Sequence, residues 1–216
     1  MTKANTRPPG FELESALRKR GFRHVAGVDE VGRGPLAGPV AAAAVIFSVD
    51  IDEEELIGIR DSKELTAAAR ERLAALVFRK ALDVKVGWAP AREVDAVGIV
   101  GATKRAMMRA VNKLEPRPEW LLIDAMSLPG VGLPQRCPVK GDRVSLSIAA
   151  ASIVAKVARD RLMEEADRKY PEYGFCRNKG YGTREHIWAL NRQGPCRIHR
   201  ASFAPVARLQ RHGMLV

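Results

Sequence analysis

The sequence predicts an α/β protein built on a mixed sheet. Apolar runs of strand length alternate along the chain with segments of helical periodicity. The 216 residues, 46% of them hydrophobic, also suffice for a sizeable core without metal or disulfide staples. That apolar content excludes intrinsic disorder, and 18 Gly and 13 Pro without a period exclude collagen-like or low-complexity architecture.

The elements follow in order. Residues 1–20 are polar and basic, carry Pro8, Pro9 and Gly10, and are expected to form a frayed, flexible lead-in. Residues 24–28 read as a strand running into a glycine-punctuated turn, Gly32-Arg33-Gly34-Pro35. Residues 40–47 form a second apolar strand whose small side chains imply close packing. Beyond an acidic loop at 50–55, residues 64–81 place Leu65, Leu73, Leu76 and Val77 at roughly helical spacing. Residues 84–89 alternate as a strand, with Val84, Val86 and Trp88 on one face. A basic amphipathic helix over 99–114 precedes a short buried strand, 120–123, which ends at Asp124; residues 137–139 offer one more strand. Residues 145–169 carry the strongest helical pattern. Their first half, 148–155, is apolar on every face, which describes a helix pressed onto a sheet through small side chains. A short helix over 183–191 completes the series.

Lysine and arginine outnumber the acids 36 to 25, a net charge of +11. This excess points to a polyanion without distinguishing nucleic acid, anionic membrane or acidic substrate. Residues 166–216 hold ten basic residues against Asp167, Glu172 and Glu185, so +7 of the +11 lies in the last quarter. Tyr170, Tyr173, Phe175, Tyr181, Trp188 and Phe203 are interleaved with it, a mixture suited to stacking and phosphate contact. A solvated tail with a few core aromatics has the same composition. The most apolar run, 36–47, contains Pro39 and is too short to span a bilayer. The first 20 residues hold no secretory apolar region, and Cys137, Cys176 and Cys196 form neither a CxxC pair nor a zinc spacing. A cytoplasmic protein without membrane attachment is expected.

Acids are almost never buried unpaired, yet four stand at the ends of apolar segments. Asp29 and Glu30 follow the strand 24–28, Asp124 closes Leu121-Leu122-Ile123, and Asp142 precedes the apolar helix. Each has a plainer reading: Asp142 as a helix cap near Ser145, Asp124 as the start of a turn toward Pro129, Asp29 and Glu30 as ordinary acids at a strand end. Converged at neighbouring strand ends, they would repel one another unless divalent cations lay between them. Mg²⁺ and Mn²⁺ prefer such oxygen ligands, and two ions roughly 3.5–4 Å apart support in-line displacement at phosphorus. Phosphodiester hydrolysis is the expected chemistry. Neighbours on a regular strand face opposite ways, so Asp29 and Glu30 share a site only where the strand ends or bends, and Gly32 offers that break. Gly32-Arg33-Gly34 lets backbone N–H groups approach a ligand while Arg33 engages phosphate; a tight turn explains it equally well. Lys179-Gly180-Tyr181-Gly182-Thr183 sets an aromatic beside a cation, consistent with stacking on a nucleotide or with a loop tyrosine that covers the core.

The combination is more specific than its parts. Asp29-Glu30-Val31-Gly32-Arg33-Gly34-Pro35-Leu36-Ala37-Gly38-Pro39, Asp61-Ser62-Lys63, Leu122-Ile123-Asp124, Lys140-Gly141-Asp142, the run from Ala149 to Asp160, and Gly180-Tyr181-Gly182-Thr183 closely resemble bacterial ribonuclease HII, in that family's order, from about His24 to Phe203. The resemblance implies a ribonuclease H-like fold, a central mixed five-stranded sheet flanked by helices. It divides the chain into a lead-in at 1–20, a catalytic domain at 21–165 and a basic helical extension at 166–216 that contacts substrate. It implies hydrolysis of the RNA strand of RNA–DNA hybrids, and nicking 5′ of a lone ribonucleotide in duplex DNA, by a two-metal mechanism using Mn²⁺ or Mg²⁺. Asp29, Glu30, Asp124 and Asp142 look like the catalytic, metal-binding acids, and Gly32, Arg33 and Gly34 like the turn that reads the ribose 2′-hydroxyl. Tyr181 looks like the residue that stacks on the following deoxyribose, and Ser62 and Lys63 like phosphate contacts. A monomer is expected, and residues 208–216 show no clear clamp-binding peptide. A transposase-like nuclease would share the acids but would need a DNA-recognition module; a non-catalytic binder would have no use for acids facing phosphates.

Overall fold

The computed structural model of the chain describes residues 8–212. In chain order the first elements are α1 (Glu12–Arg18), β1 (Val25–Val31), β2 (Val40–Phe47), α2 (Ala67–Lys80), β3 (Ala81–Ala89) and α3 (Ala91–Val111). Then come β4 (Trp120–Ile123), β5 (Gln135–Arg136), α4 (Leu146–Lys169), α5 (Phe175–Asn178), α6 (Arg184–Gln193) and α7 (Ala204–His212). One five-stranded sheet runs in the order β3-β2-β1-β4-β5. The β1–β2 and β2–β3 pairs are antiparallel, whereas β4 runs parallel to β1 and β5 parallel to β4. This is the mixed sheet that the alternation of segments predicts.

Helices cover both faces. On one, α4 and α2 bury Ala43, Val45 and Phe47 against Leu73, Val77, Ala150 and Val154; on the other, α3 buries Ala42, Ala44 and Ile46 against Ala102, Ala106 and Met107. Small residues set these distances. A Cβ on Gly27 of β1 would lie 2.2 Å from the Ser147 carbonyl carbon in α4, and one on Gly87 of β3 would lie 2.0 Å from the Ala106 carbonyl oxygen in α3. Both helices therefore approach the sheet more closely than any side chain at those points allows. A smaller core of Leu36, Met163, Tyr173, Phe175, Leu190 and Val206 joins the C-terminal helices to α4 and to the loop after β1.

The structure corrects several expectations. The lead-in is helical over α1 and tied down. Phe11 packs edge-on against Phe47, ring centroids 5.6 Å apart, and buried Glu14 accepts hydrogen bonds from Ser145 Oγ at 2.7 Å and Ser147 N at 3.1 Å at the start of α4. Helix N-termini present unsatisfied N–H groups, and a carboxylate there is stabilising. Residues 1–7 of that expected lead-in lie outside the described residues. The helix expected over 99–114 is the second part of α3, which begins at Ala91 and breaks at Gly98, with φ 73°. The last strand is 135–136 rather than 137–139, because Pro138 has no N–H to give a ladder. Tyr173 and Phe175 are core residues with stacked rings, leaving Tyr181 and Trp188 as the exposed aromatics of the C-terminal quarter. α4 is continuous across the expected boundary at 165/166.

Candidate active site

The carboxylates gather at one end of the sheet, where β1 and β4 run side by side. Val28 pairs with Ile123, and the Asp124 N–H donates to the Val28 carbonyl at 3.1 Å, so Asp124 leaves β4 beside Asp29. Asp142 sits in a 3-10 turn, Gly141–Arg143, just before α4. The same turn closes on Asp124, whose Oδ1 accepts the Gly141 N–H at 2.7 Å. The strand break expected at Gly32 does not put Asp29 and Glu30 on one face. Both lie within β1, opposite Ala43 and Ala42; those partners belong to the two different cores, so Asp29 faces α4 and Glu30 faces the α3 side.

Their surroundings do not neutralise them. Burial, then the charges of Glu30 and Asp124, push the Asp29 carboxyl well above its ordinary range, despite hydrogen bonds from the Glu30 N–H and the Ser152 hydroxyl. Glu30 is also raised, by burial first, against the pull of Arg33. Arg33 Nη1 reaches Glu30 Oε1 at 3.2 Å, while buried Oε2 has no partner. Asp142 is raised by burial, then by Asp61 and Asp124, with Lys63 and Arg143 opposing. The ligand chemistry is all oxygen, and a buried acceptor lacks a donor, which fits a hard divalent cation. Among the described residues no three such side chains already form a closed ligand set. Asp29 holds the Glu30 N–H, Asp124 the Gly141 N–H, and Glu30 the Arg33 guanidinium.

The remaining expected residues divide. Gly32 has φ 88°, and a Cβ there would lie 2.2 Å from Arg159 Nε, so both the backbone angle and the packing require glycine. Arg33 and Gly34 are exposed. Tyr181 is 45% exposed, and its Cε1 stands 3.6 Å from where a Gly34 Cβ would be; residues 147 positions apart in sequence thus stand side by side at the surface. Lys63 is exposed. Ser62 is not presented to a ligand: it is buried, and its hydroxyl lies 2.8 Å from that of Ser152. Since Ser152 donates to Asp29, Ser62 ends a hydroxyl chain running to the acid.

Sequence reasoning missed Ser152 and Asp61. Ser152 is the one hydroxyl in the run 148–155, a polar residue in an otherwise apolar helix, and that was the available signal. Asp61 is buried, accepts the Lys63 N–H at 3.0 Å and lies 3.4 Å from Arg143 Nη2. Its place beside Asp142 has no local signature.

The family model of ribonuclease HII matches residues 26–206. A ribonuclease HII of Desulfitobacterium hafniense is 53% identical over 193 residues, 89% of this chain and 73% of that protein. One from Chloroflexus aurantiacus is 50% identical over 92% of this chain and 94% of its own length. Among solved structures, the ribonuclease H2 of Pyrococcus horikoshii superposes with a TM-score of 0.75 at 26% identity, covering 87% of this chain and 97% of that one.

Proposed function

The chain belongs to the ribonuclease HII family and is a metal-dependent endonuclease of the RNA strand in RNA–DNA hybrids; from that premise we propose that Asp29, Glu30, Asp124 and Asp142 are its catalytic acids. The observation that carries this assignment is the convergence of acids from three parts of the chain: Asp29, Glu30 and Asp142 are raised first by burial, and the charge of Asp124 raises each of them further. Mn²⁺ or Mg²⁺ bound there supplies positive charge to the attacking and leaving oxygens of an in-line displacement at phosphorus. The protein's own part is to orient. Ser62 and Ser152 fix the Asp29 carboxylate from the α4 side, and the Gly141 N–H fixes Asp124.

Substrate selection falls to the neighbouring surface at Gly34 and Tyr181. The 2′-hydroxyl distinguishes RNA from DNA, and the turn at Gly32, Arg33 and Gly34, exposed at Arg33 and Gly34, is small enough to meet it through backbone groups. The Tyr181 ring beside Gly34 lies flat against the next sugar, where a deoxyribose fits and an added hydroxyl does not. This arrangement selects a ribonucleotide followed by DNA without reading bases, and the cut falls 5′ of the ribonucleotide, leaving 3′-hydroxyl and 5′-phosphate ends. Lys63 contacts a backbone phosphate, as do exposed cations of the C-terminal extension at 166–216, so affinity falls steeply with salt. The enzyme works as a monomer in the cytoplasm. No described helix is long and apolar enough to cross a membrane, and Cys137, Cys176 and Cys196 are free thiols. The expected lack of a clamp-binding peptide at 208–216 falls partly outside the described residues.

The test is cleavage of a DNA duplex carrying one ribonucleotide, beside an all-RNA hybrid and an all-DNA duplex, with Mg²⁺, Mn²⁺ or chelator. A metal-dependent nick 5′ of the ribonucleotide is expected. An intact ribonucleotide substrate overturns the reading, and cleavage of the all-DNA duplex favours a transposase-like enzyme.

A further inference from the structure

The acids account for the chemistry but leave two buried guanidiniums unexplained. Arg159, on α4, and Arg200, in the turn before α7, are both 0% exposed. Among the described residues neither meets a carboxylate at ion-pair distance, and their acceptors are all main-chain carbonyls. Arg200 donates from Nε to Gly38 O at 3.0 Å, from Nη1 to Arg33 O at 2.9 Å, and from Nη2 to Gly38 O at 2.9 Å and Gly32 O at 2.5 Å. Arg159 donates to Pro39 O and Lys179 O, each at 3.0 Å, and to Ala37 O at 3.1 Å. Two like charges buried together are unfavourable unless dipoles are fixed around them, so the carbonyls of Gly32, Arg33, Ala37, Gly38 and Pro39 are committed to facing inward.

The consequence lies in the peptide planes. A trans peptide unit points its C=O and N–H in opposite directions, and the cis bond described here lies elsewhere, at Glu115–Pro116. With Gly32 O and Arg33 O drawn onto Arg200, the N–H groups of Arg33 and Gly34 face outward. Both residues are exposed, and among the described residues no acceptor takes either N–H. At the far end of the loop, Gly180 O accepts from Leu36 N at 2.8 Å and Ala37 N at 3.3 Å, while Arg159 holds Lys179 O. These bonds tie the main chain that carries Tyr181 to the loop that carries Gly34.

We propose that Arg200, with Arg159 behind it, is a positioning residue for substrate selection: by holding these carbonyls inward it keeps the Arg33 and Gly34 amides aimed at a ribose hydroxyl oxygen and sets their spacing from Tyr181. The inference rests on reading residues 32–34 as the sugar-contacting turn. Lysine cannot replace the fork, because a compact ammonium on a flexible stem does not span the Gly32, Arg33 and Gly38 carbonyls.

Arg200→Lys in the full-length enzyme tests this with two readouts. In the substrate-free protein, NMR order parameters at 32–34 are expected to fall from about 0.85 to below about 0.6. The ratio of kcat/KM on the one-ribonucleotide duplex to that on the all-RNA hybrid is expected to drop at least about tenfold, mostly through kcat, since phosphate contacts elsewhere still hold the duplex. If Arg200→Lys does not fold, Arg159→Lys, acting on Ala37, Pro39 and Lys179, must produce the same pair of changes. A folded variant with an unaltered turn overturns the proposal whatever its activity. A loosened turn with an unchanged ratio also overturns it, and places the fault in the sugar-contact reading rather than in the arginine geometry.

Discussion

Asp29 and Arg200 are both buried ionisable side chains beside the loop at 32–38, the first just before it in sequence and the second bonded to it from more than 160 residues away, and the chain treats them in opposite ways. Arg200 has a carbonyl for each nitrogen of its fork. Asp29 has one N–H and one hydroxyl, and two further acids that raise it. Arg200 is lowered to about 10 by burial and by Arg159, yet it stays charged at any physiological pH. Asp29 is held in a form that a cation would relieve. A buried charge surrounded by fixed dipoles holds the backbone around it, and one surrounded by like charge marks where a cation completes the structure.

The largest effect that sharpens this contrast is expected at the acidic end. Asp29→Asn should cut the cleavage rate on the order of a thousandfold, about 4 kcal/mol of transition-state stabilisation. The same change should raise the melting temperature of the metal-free protein, because it removes a buried like-charge repulsion. A lowered melting temperature would mean that Asp29 is a structural acid. At the arginine end, Gly32→Ala places a Cβ against Arg159 at a positive φ and should cost about 1–3 kcal/mol of stability together with junction selectivity. Unchanged denaturation would show that the loop is not clamped.

The pH dependence divides the two ends further. His199 precedes Arg200, is hydrogen-bonded to His186 with ring nitrogens 3.0 Å apart, and is lowered by burial, then by His186, from 6.5 to about 4. The unfolded chain therefore binds more protons than the folded one between those values, and stability falls as pH drops through that window. The His199 contribution to that loss should reach about 3 kcal/mol near pH 4, read as the difference in urea unfolding between the metal-free wild type and His199→Gln, because the raised Asp29, Glu30 and Asp142 carboxyls act in the opposite direction in both proteins. A difference between the two proteins that does not change with pH would contradict a buried neutral pair. The smallest stability effect belongs to Tyr181→Ala: with a ring 45% exposed, stability should change by less than about 0.5 kcal/mol while preference for the junction is lost. Retained discrimination against all-RNA hybrids would remove Tyr181 from that role.

What the sequence made legible follows the same division. β2 and the first half of α4 are visible because a fully buried element is apolar on all sides, and Asp124 is visible because an acid ends such a run. The exposed glycine turn and Tyr181 were recoverable through family resemblance. Arg159 and Arg200 carry no such signal: in a chain with 36 basic residues, a buried arginine looks like any other until carbonyls far away in sequence are folded around it. Residues 12–18 hid α1 for a related reason, since Glu14 earns its place only by capping α4, more than 130 residues away.

The most direct test of the central claim is cleavage and binding of the one-ribonucleotide duplex by Asp124→Asn. The variant leaves the fold of β4 and the Gly141 contact largely in place while removing one charge from the group. The account predicts that nicking falls on the order of a thousandfold in Mg²⁺ or Mn²⁺, with duplex affinity within a few-fold of wild type. A variant that still nicks at the wild-type rate would contradict it.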